Sequence, residues 1–291
     1  MYLLLGECPI FTLGETMIQN NPLRQYFRRP AVYLKLPSGG KFYTPDIVEM
    51  PENGELPVYP MTAIDDITVK TPDALFNGQA VIDIIKSCIP AIKNPWGINS
   101  IDLDAILIAI RSASTVDFSI TSECPACNTP SDYKINLGGV LSSISAPNYN
   151  ELLTIGDLAI KFRPLSYKDM NEIGLSQFDI QRQFGNLDNI TDVLERTEKS
   201  KLALQTITEL SMKTIAKTIQ SVTAPNGVEV TEIEYILDFL KNCDKTSYEE
   251  IKDYNTKLRE AGEMKPFKIK CINCSNEYNQ PFTLNVTDFF G

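Results

Sequence analysis

A chain of 291 residues that is 43% hydrophobic and 22% charged has enough apolar content for one large core or two ordinary ones. Its net charge of −10 opposes binding to nucleic acid or an anionic membrane, both of which call for surplus Lys and Arg. The absence of histidine removes the commonest general base, the usual catalytic triads and the His-ligated zinc hydrolases.

The N-terminal segment has a short apolar start, Tyr2 to Leu5, but its first positive charge is Arg24, so no signal peptide is expected. The basic cluster Arg24, Arg28 and Arg29 reads as solvated or as a hold on an acidic neighbour. From Ala31 to Tyr43 two β-rich runs flank Pro37-Ser38-Gly39-Gly40, which predicts a hairpin. Residues 45–57 are rich in turn formers, and Val58 to Met61 reads as a short strand. Thr62 with Asp65 and Asp66 predicts a capped helix start, and Pro72-Asp73 predicts another. Val81, Ile84, Ile85, Cys88 and Ile92 lie at helical spacing and form one buried face, with Cys88 as a small hydrophobe.

Pro95-Trp96-Gly97 ends that segment, and Trp96 reads as packing within its own half. Ser100 or Asp102 opens a helix whose run from Ala105 to Ile110 is apolar on most sides; it suits a core and is far short of the ~20 residues that span a bilayer. A strand follows over residues 132–137, then a boundary near 140–152 marked by Gly138, Gly139 and Pro147. Beyond it come a strand over 157–162, helices over 170–184 and 197–222 separated by a polar loop, and helices over 232–240 and 247–261. Strands over 267–270 and 282–286 close the chain.

The order of parts occurs twice. Pro95-Trp96-Gly97-Ile98 and Ile101-Asp102-Leu103-Asp104 lie at one constant offset from Pro225-Asn226-Gly227-Val228 and Thr231-Glu232-Ile233-Glu234. Upstream, Tyr59-Pro60-Met61-Thr62 with Asp65 resembles Arg163-Pro164-Leu165-Ser166 with Asp169. Carboxylates such as Asp102 and Asp104 suit the start of a helix, which accounts for them without a catalytic role. Each half ends in a CxxC pair, Cys124/Cys127 and Cys271/Cys274, followed by an alternating run. Two such pairs can supply four thiolates to one structural Zn²⁺ if duplication sets equivalent edges side by side. A thioredoxin-like redox pair, or pairs without a ligand, are the alternatives.

The blocks PSGGKFY (37–43), VYPMTAIDDI (58–67), TPDALFNG (71–78), SCIPAIKNPW (87–96), IDLDAILIAIR (101–111) and CPAC, in this order, closely resemble the baseplate hub and hub-assembly protein family of T-even-type contractile-tailed bacteriophages. The resemblance implies a non-enzymatic component or assembly factor of the tail baseplate. Its partners would be other phage tail proteins rather than nucleic acid, a membrane or a small-molecule substrate. It would be assembled in the host cytoplasm and end in the virion tail.

Taken together, the expectation is an α+β protein with an N-terminal arm (1–30) and two related halves, 31–145 and 146–291. Each half would hold a small β element, several helices and a zinc-type turn, with Cys124, Cys127, Cys271 and Cys274 as metal ligands. A non-virion assembly chaperone, or a zinc-stapled adaptor unrelated to phage, would share the composition.

Overall fold

In the computed structural model the described residues are 21–71, 78–115, 118–185 and 192–282. Among them eight α-helices and several small antiparallel sheets make an α+β protein. Cys8, the Pro72-Asp73 helix start, most of the polar loop over 184–192 and the strand beyond Phe282 lie outside the described residues.

Strand β1 (Val32–Leu34) pairs antiparallel with β2 (Leu56–Val58), with Val32 opposite Val58. The hairpin expected around Gly39-Gly40 therefore does not form. Both glycines take positive φ, +66° and +76°, as a tight turn requires. The chain beyond them stays in turns because its polar groups go elsewhere. The Ser38 N–H donates to Asp102 Oδ1 at 2.9 Å and the Tyr43 hydroxyl to Asp102 Oδ2 at 2.6 Å, so the loop folds over a buried carboxylate.

Helix α1 (Ala63–Val69) opens with a capping box: Asp65 N–H donates to the Thr62 hydroxyl, and Thr62 N–H to the Asp65 carboxylate at 2.7 Å. Arg28 reaches back to this region, donating to Pro60 O, to Ser87 O and to the Asp65 carboxylate. The acidic neighbour it holds is in its own chain. Helix α2 (Gln79–Cys88) buries Val81, Ile84, Ile85 and Cys88 as the periodicity predicts. Helix α3 (Ser100–Ser114) is capped by Asn99, and between Ile101 and Ile110 every residue except Asp104 is buried. Strands β3 (Ser119–Glu123) and β4 (Pro130–Lys134) follow.

The strand expected to run to Leu137 stops at Lys134, and helix α4 (Leu137–Ser143) occupies the glycine-rich boundary. Asn136 makes this possible by accepting the Gly139 N–H at 3.1 Å, an N-cap that outweighs the weak helix propensity of two glycines.

The remainder builds a four-stranded antiparallel sheet in sequence order from β5 (Leu153–Ile155), β6 (Leu158–Phe162), β7 (Ile219–Thr223) and β8 (Glu229–Val230). Between β6 and β7 stand α5 (Tyr167–Phe184), opened by a Ser166/Asp169 capping box, and the 26-residue α6 (Val193–Thr218). The helix expected to reach Val222 ends at Thr218. From Ile219 the chain pairs with β6 and buries the β-branched Ile219 and Val222, and the Arg163 N–H donates to the Thr218 carbonyl at 2.7 Å. Helices α7 (Ile233–Asn242) and α8 (Lys245–Gly262) and strands β9 (Phe267–Lys270) and β10 (Glu277–Gln280) complete the described chain.

Two hydrophobic clusters result. One runs from Leu34 to Val140 and takes in Phe282; the other joins Ile160 and Phe162 to Ile219, Ile236, Leu240, Ile251 and Leu258. Phe118, Phe282 and Phe267 stack edge to face in series, at 6.2 and 5.4 Å between centroids. They pull the last strands of the chain onto the first cluster.

Some hydrogen bonds recur at matching positions of the two halves. Tyr59 N–H donates to Cys88 O, and at the equivalent positions Arg163 N–H donates to Thr218 O. Gly97 N–H donates to Asn94 O, and Gly227 N–H to Ala224 O. The repeat also diverges. Trp96 lies against Gly78 of its own half and also stacks on Tyr167 of the other, 5.2 Å away and 14° from parallel. Beside it, Tyr167 N–H donates to Ile98 O and Ser100 N–H to Leu165 O, a bridge joining the two halves.

Candidate metal centre

The β3–β4 and β9–β10 hairpins are two copies of one device. In each, the residue before the CxxC pairs with the residue at the start of the return strand: Glu123 opposite Pro130, and Lys270 opposite Glu277. Cys124 N–H donates to Thr129 O and Asn128 N–H to Cys124 O; likewise Cys271 N–H donates to Asn276 O and Ser275 N–H to Cys271 O. The residue after each second cysteine, Asn128 or Ser275, takes positive φ of 53° or 60°. Only one residue per turn needs this left-handed conformation, and a short polar side chain that bonds locally tolerates it better than a bulky one.

The hairpins meet through side chains the motif did not flag. The Ser122 hydroxyl lies 3.0 Å from the Tyr278 hydroxyl and donates to Gln280 Oε1 at 2.5 Å. Asn273 Nδ2 donates to Thr129 Oγ1 at 3.2 Å. The alternation of the strands was their only signal in sequence, because it places Ser122, Tyr278 and Gln280 on inward faces once the hairpins are set together.

All four sulfurs lie within 4.8 Å of one another. Cys124 Sγ is 3.7 Å from Cys274 Sγ and Cys127 Sγ is 3.7 Å from Cys271 Sγ, so each pair contacts the other in exchanged order, as a local twofold demands. These separations far exceed a disulfide bond of about 2.05 Å. These two separations match the edge of a tetrahedron whose centre is ~2.3 Å from each sulfur, about 3.8 Å, as in a Zn–thiolate site. The donor set fits the metal: four soft ligands, no open coordination position and hence a structural rather than catalytic site. The first cysteine of each pair is buried and Cys274 is exposed, so the centre sits at the protein surface with its base against the hairpins.

The thiols differ in their readiness to ionise. The Thr129 hydroxyl and backbone N–H hold Cys127 down at about 6. Burial opposes ionisation of Cys124, but backbone N–H groups of Ala126 and Cys127 bring it below the ordinary thiol value. The Asn276 N–H favours the Cys274 thiolate, yet its neighbours Cys127 and Cys124 and partial burial push it up to about 12. A cluster of like anions needs a cation at its centre before all four can be thiolates.

The acidic pair of the repeat divides into two roles. Asp102 is fully buried and saturated by Ser38, Tyr43 and Asn99, where it locks the loop over 38–43 to the start of α3. Burial and the Asp102 charge beside it raise the Tyr43 hydroxyl far above the ordinary tyrosine range. Asp104 is not a cap. It faces a cavity of about 380 Å³ shared with Arg163, Arg259 and Glu263, and burial pushes its carboxyl up to about 6.

Neither a curated protein nor a solved structure matches the chain. A family model described as T4 bacteriophage base plate protein matches residues 35–291, nearly the whole chain.

Proposed function

The chain belongs to the T4 bacteriophage base plate protein family, and from that premise we propose that it is a structural or assembly protein of the hub of a contractile-tail baseplate, acting through contacts with other phage tail proteins and not by turnover. The observation that carries this reading is the family match over residues 35–291. The described geometry is in keeping with it: the cysteine cluster has no vacant ligand position, and no described helix is long and apolar enough to cross a membrane. The place of action is the virion tail, reached by assembly in the host cytoplasm.

The same proposal includes a zinc ion held by Cys124, Cys127, Cys271 and Cys274. Bound there, the metal ties the end of the first half (31–145) to the end of the second (146–291). A structural zinc contributes on the order of 10–16 kcal/mol of apparent binding free energy to the fold that assembles its ligands. Support comes from the tetrahedral sulfur spacing and the exchanged contacts of the two turns.

The test is mass spectrometry of purified virions alongside infected-cell lysate, paired with deletion of the gene. A fixed, low copy number per particle makes the chain a baseplate subunit. Absence from virions, with tails arrested before baseplate completion in the deletion, makes it an assembly factor. Normal infectious particles from the deletion overturn the assignment.

A further inference from the structure

The two halves share their capping boxes and their helix-terminal hydrogen bonds, yet twice as many residues separate Ser166 from Thr218 as separate Thr62 from Cys88. The surplus lies in the α5–α6 hairpin. The first half closes the same local fold without it, so the added length is not required for that fold. α6, about 39 Å long at 1.5 Å per residue, buries only Ala203 and its root residues Ile215, Ala216 and Thr218. α5 buries none.

The outer face of α6 has a pattern. Val193, Thr197, Ser200, Leu204, Ile207 and Ser211 follow one another at alternating spacings of four and three, and none carries a charge. That is the spacing of a helix-packing seam. Val193, Leu204 and Ile207 are 76%, 66% and 50% exposed. The seam runs at Ile207 and Ser211 into a groove of about 610 Å³ whose walls are Gln177 and Gln181 of α5 and Lys252 and Arg259 of α8. Among the described lining residues there is no carboxylate, in a chain of net charge −10. Lys252 and Arg259 have only exposed partners on or just beyond their own helix, Glu249 and Glu263, and such pairs hold their cations weakly.

We infer that this seam and groove dock an amphipathic helix of a different protein, with apolar residues at heptad spacing and carboxylates along one flank. A helix laid in an apolar groove is a recurrent recognition mode, and rim charges of opposite sign set its orientation and partner. A second copy of this hairpin is a poor occupant: α6 carries more Lys and Arg than Glu, so it would set cations against the cationic rim. The inference deepens the proposed assembly role and rests on it, with the occupant supplied by another tail protein.

The experiment places a photo-crosslinking amino acid at Leu204, at Ile207 or at Leu202, which is exposed on the opposite face of α6, in the full chain expressed during infection, and identifies the joined peptides by mass spectrometry. The expected result is a crosslink from 204 and 207, and not from 202, to a peptide of another tail protein with apolar heptads flanked by Asp or Glu. Ile207→Asp should lower the yield from position 204 by about tenfold or more, a loss of about 1.4 kcal/mol in affinity, while Leu202→Asp leaves it unchanged. Thermal melting of both variants checks that each is folded. A crosslink to a second copy, equal crosslinking from 202, a joined peptide without acidic flanks, or no crosslink overturns the inference. Seam positions that stay silent while the gene deletion still arrests tails would remove the docking seam and leave the assembly role standing.

Discussion

Helices α3 and α6 are each among the longer helices of their half, and their surroundings are opposite. α3 is buried on nearly every side from Ile101 to Ile110, and α6 shows solvent almost everything but its root. Both halves open with short antiparallel strands and a capped helix and end in a CxxC turn, but one has the larger buried core and the other the longer helical hairpin. The second offers surface, and the thiol cluster is one of the places where both meet, beside the Trp96–Tyr167 stack.

The largest expected effect breaks that join. Replacing Cys124 or Cys271 with Ser should lower stability by similar amounts, several kcal/mol each, because either change removes one of four ligands from a site worth ~10–16 kcal/mol. Thermal melting with and without a chelator reads this directly. Wild type treated with chelator should approach both variants, and chelator should leave the variants unmoved. Equal melting of all forms removes the staple.

Next is the contrast between the two helices. Ile108 is 0% exposed in the first cluster and Leu204 is 66% exposed on α6. Ile108→Ala should cost about 2–5 kcal/mol, whereas Leu204→Ala should stay within about 0.5 kcal/mol. Denaturant titration of the two variants measures the difference. Comparable losses would mean that α6 is already packed in the free protein.

A smaller effect lies at the cavity between the halves. Burial raises Asp104 from 3.8 to about 6. A carboxyl raised on folding makes the native state bind more protons than the unfolded state between these values. Its contribution is therefore most favourable below about pH 4 and is lost as pH rises through about 6. Allowing for the partial exposure of the side chain, the change is on the order of 2 kcal/mol. Asp104→Asn should be more stable than wild type near pH 7 by about that amount, with the difference vanishing near pH 4. Unfolding measured across this range in both proteins tests the sign, and subtraction cancels the opposite slopes of Asp169 and Asp244, whose carboxyls are held low.

How much of this was legible in sequence depended on whether the determinant was local. The Thr62 cap, the buried face of α2 and the two CxxC turns are local, since residues a few positions apart decide them. The hairpin at Gly39-Gly40 misled because its strands were read from neighbours, while the polar groups of Ser38 and Tyr43 are satisfied by Asp102 on a distant helix. The end of α6 misled because helical periodicity ran on into β-branched residues that the sheet claimed. The four cysteines of the cluster were readable by residue type, and the repeat gave a reason for them to meet. The partners that bring the hairpins together, Ser122, Tyr278 and Gln280, were not, since no short spacing marks a contact made across two strands far apart in sequence.

The junction around Trp96 is where that lesson can be sharpened. Gly78 sits at φ +77°, and a Cβ there would fall 2.8 Å from the Tyr167 hydroxyl and 3.2 Å from the Trp96 ring. The first constraint is local and would be met by any L residue with strain of about 1 kcal/mol. The contact with the Tyr167 hydroxyl exists only because the second half packs there, Trp96 belonging to the same half as Gly78, and the crowding should add a similar amount by displacing the stacked rings. Gly78→Ala should thus destabilise by about 2 kcal/mol, and Gly78→Ala combined with Trp96→Ala and Tyr167→Ala should cost less than the separate losses predict, because the clash disappears with the rings. Tryptophan fluorescence gives the complementary reading. Trp96 is the only tryptophan in the chain, so its emission should shift toward longer wavelength in Gly78→Ala if the inter-half stack opens, and should not move if the backbone alone absorbs the strain.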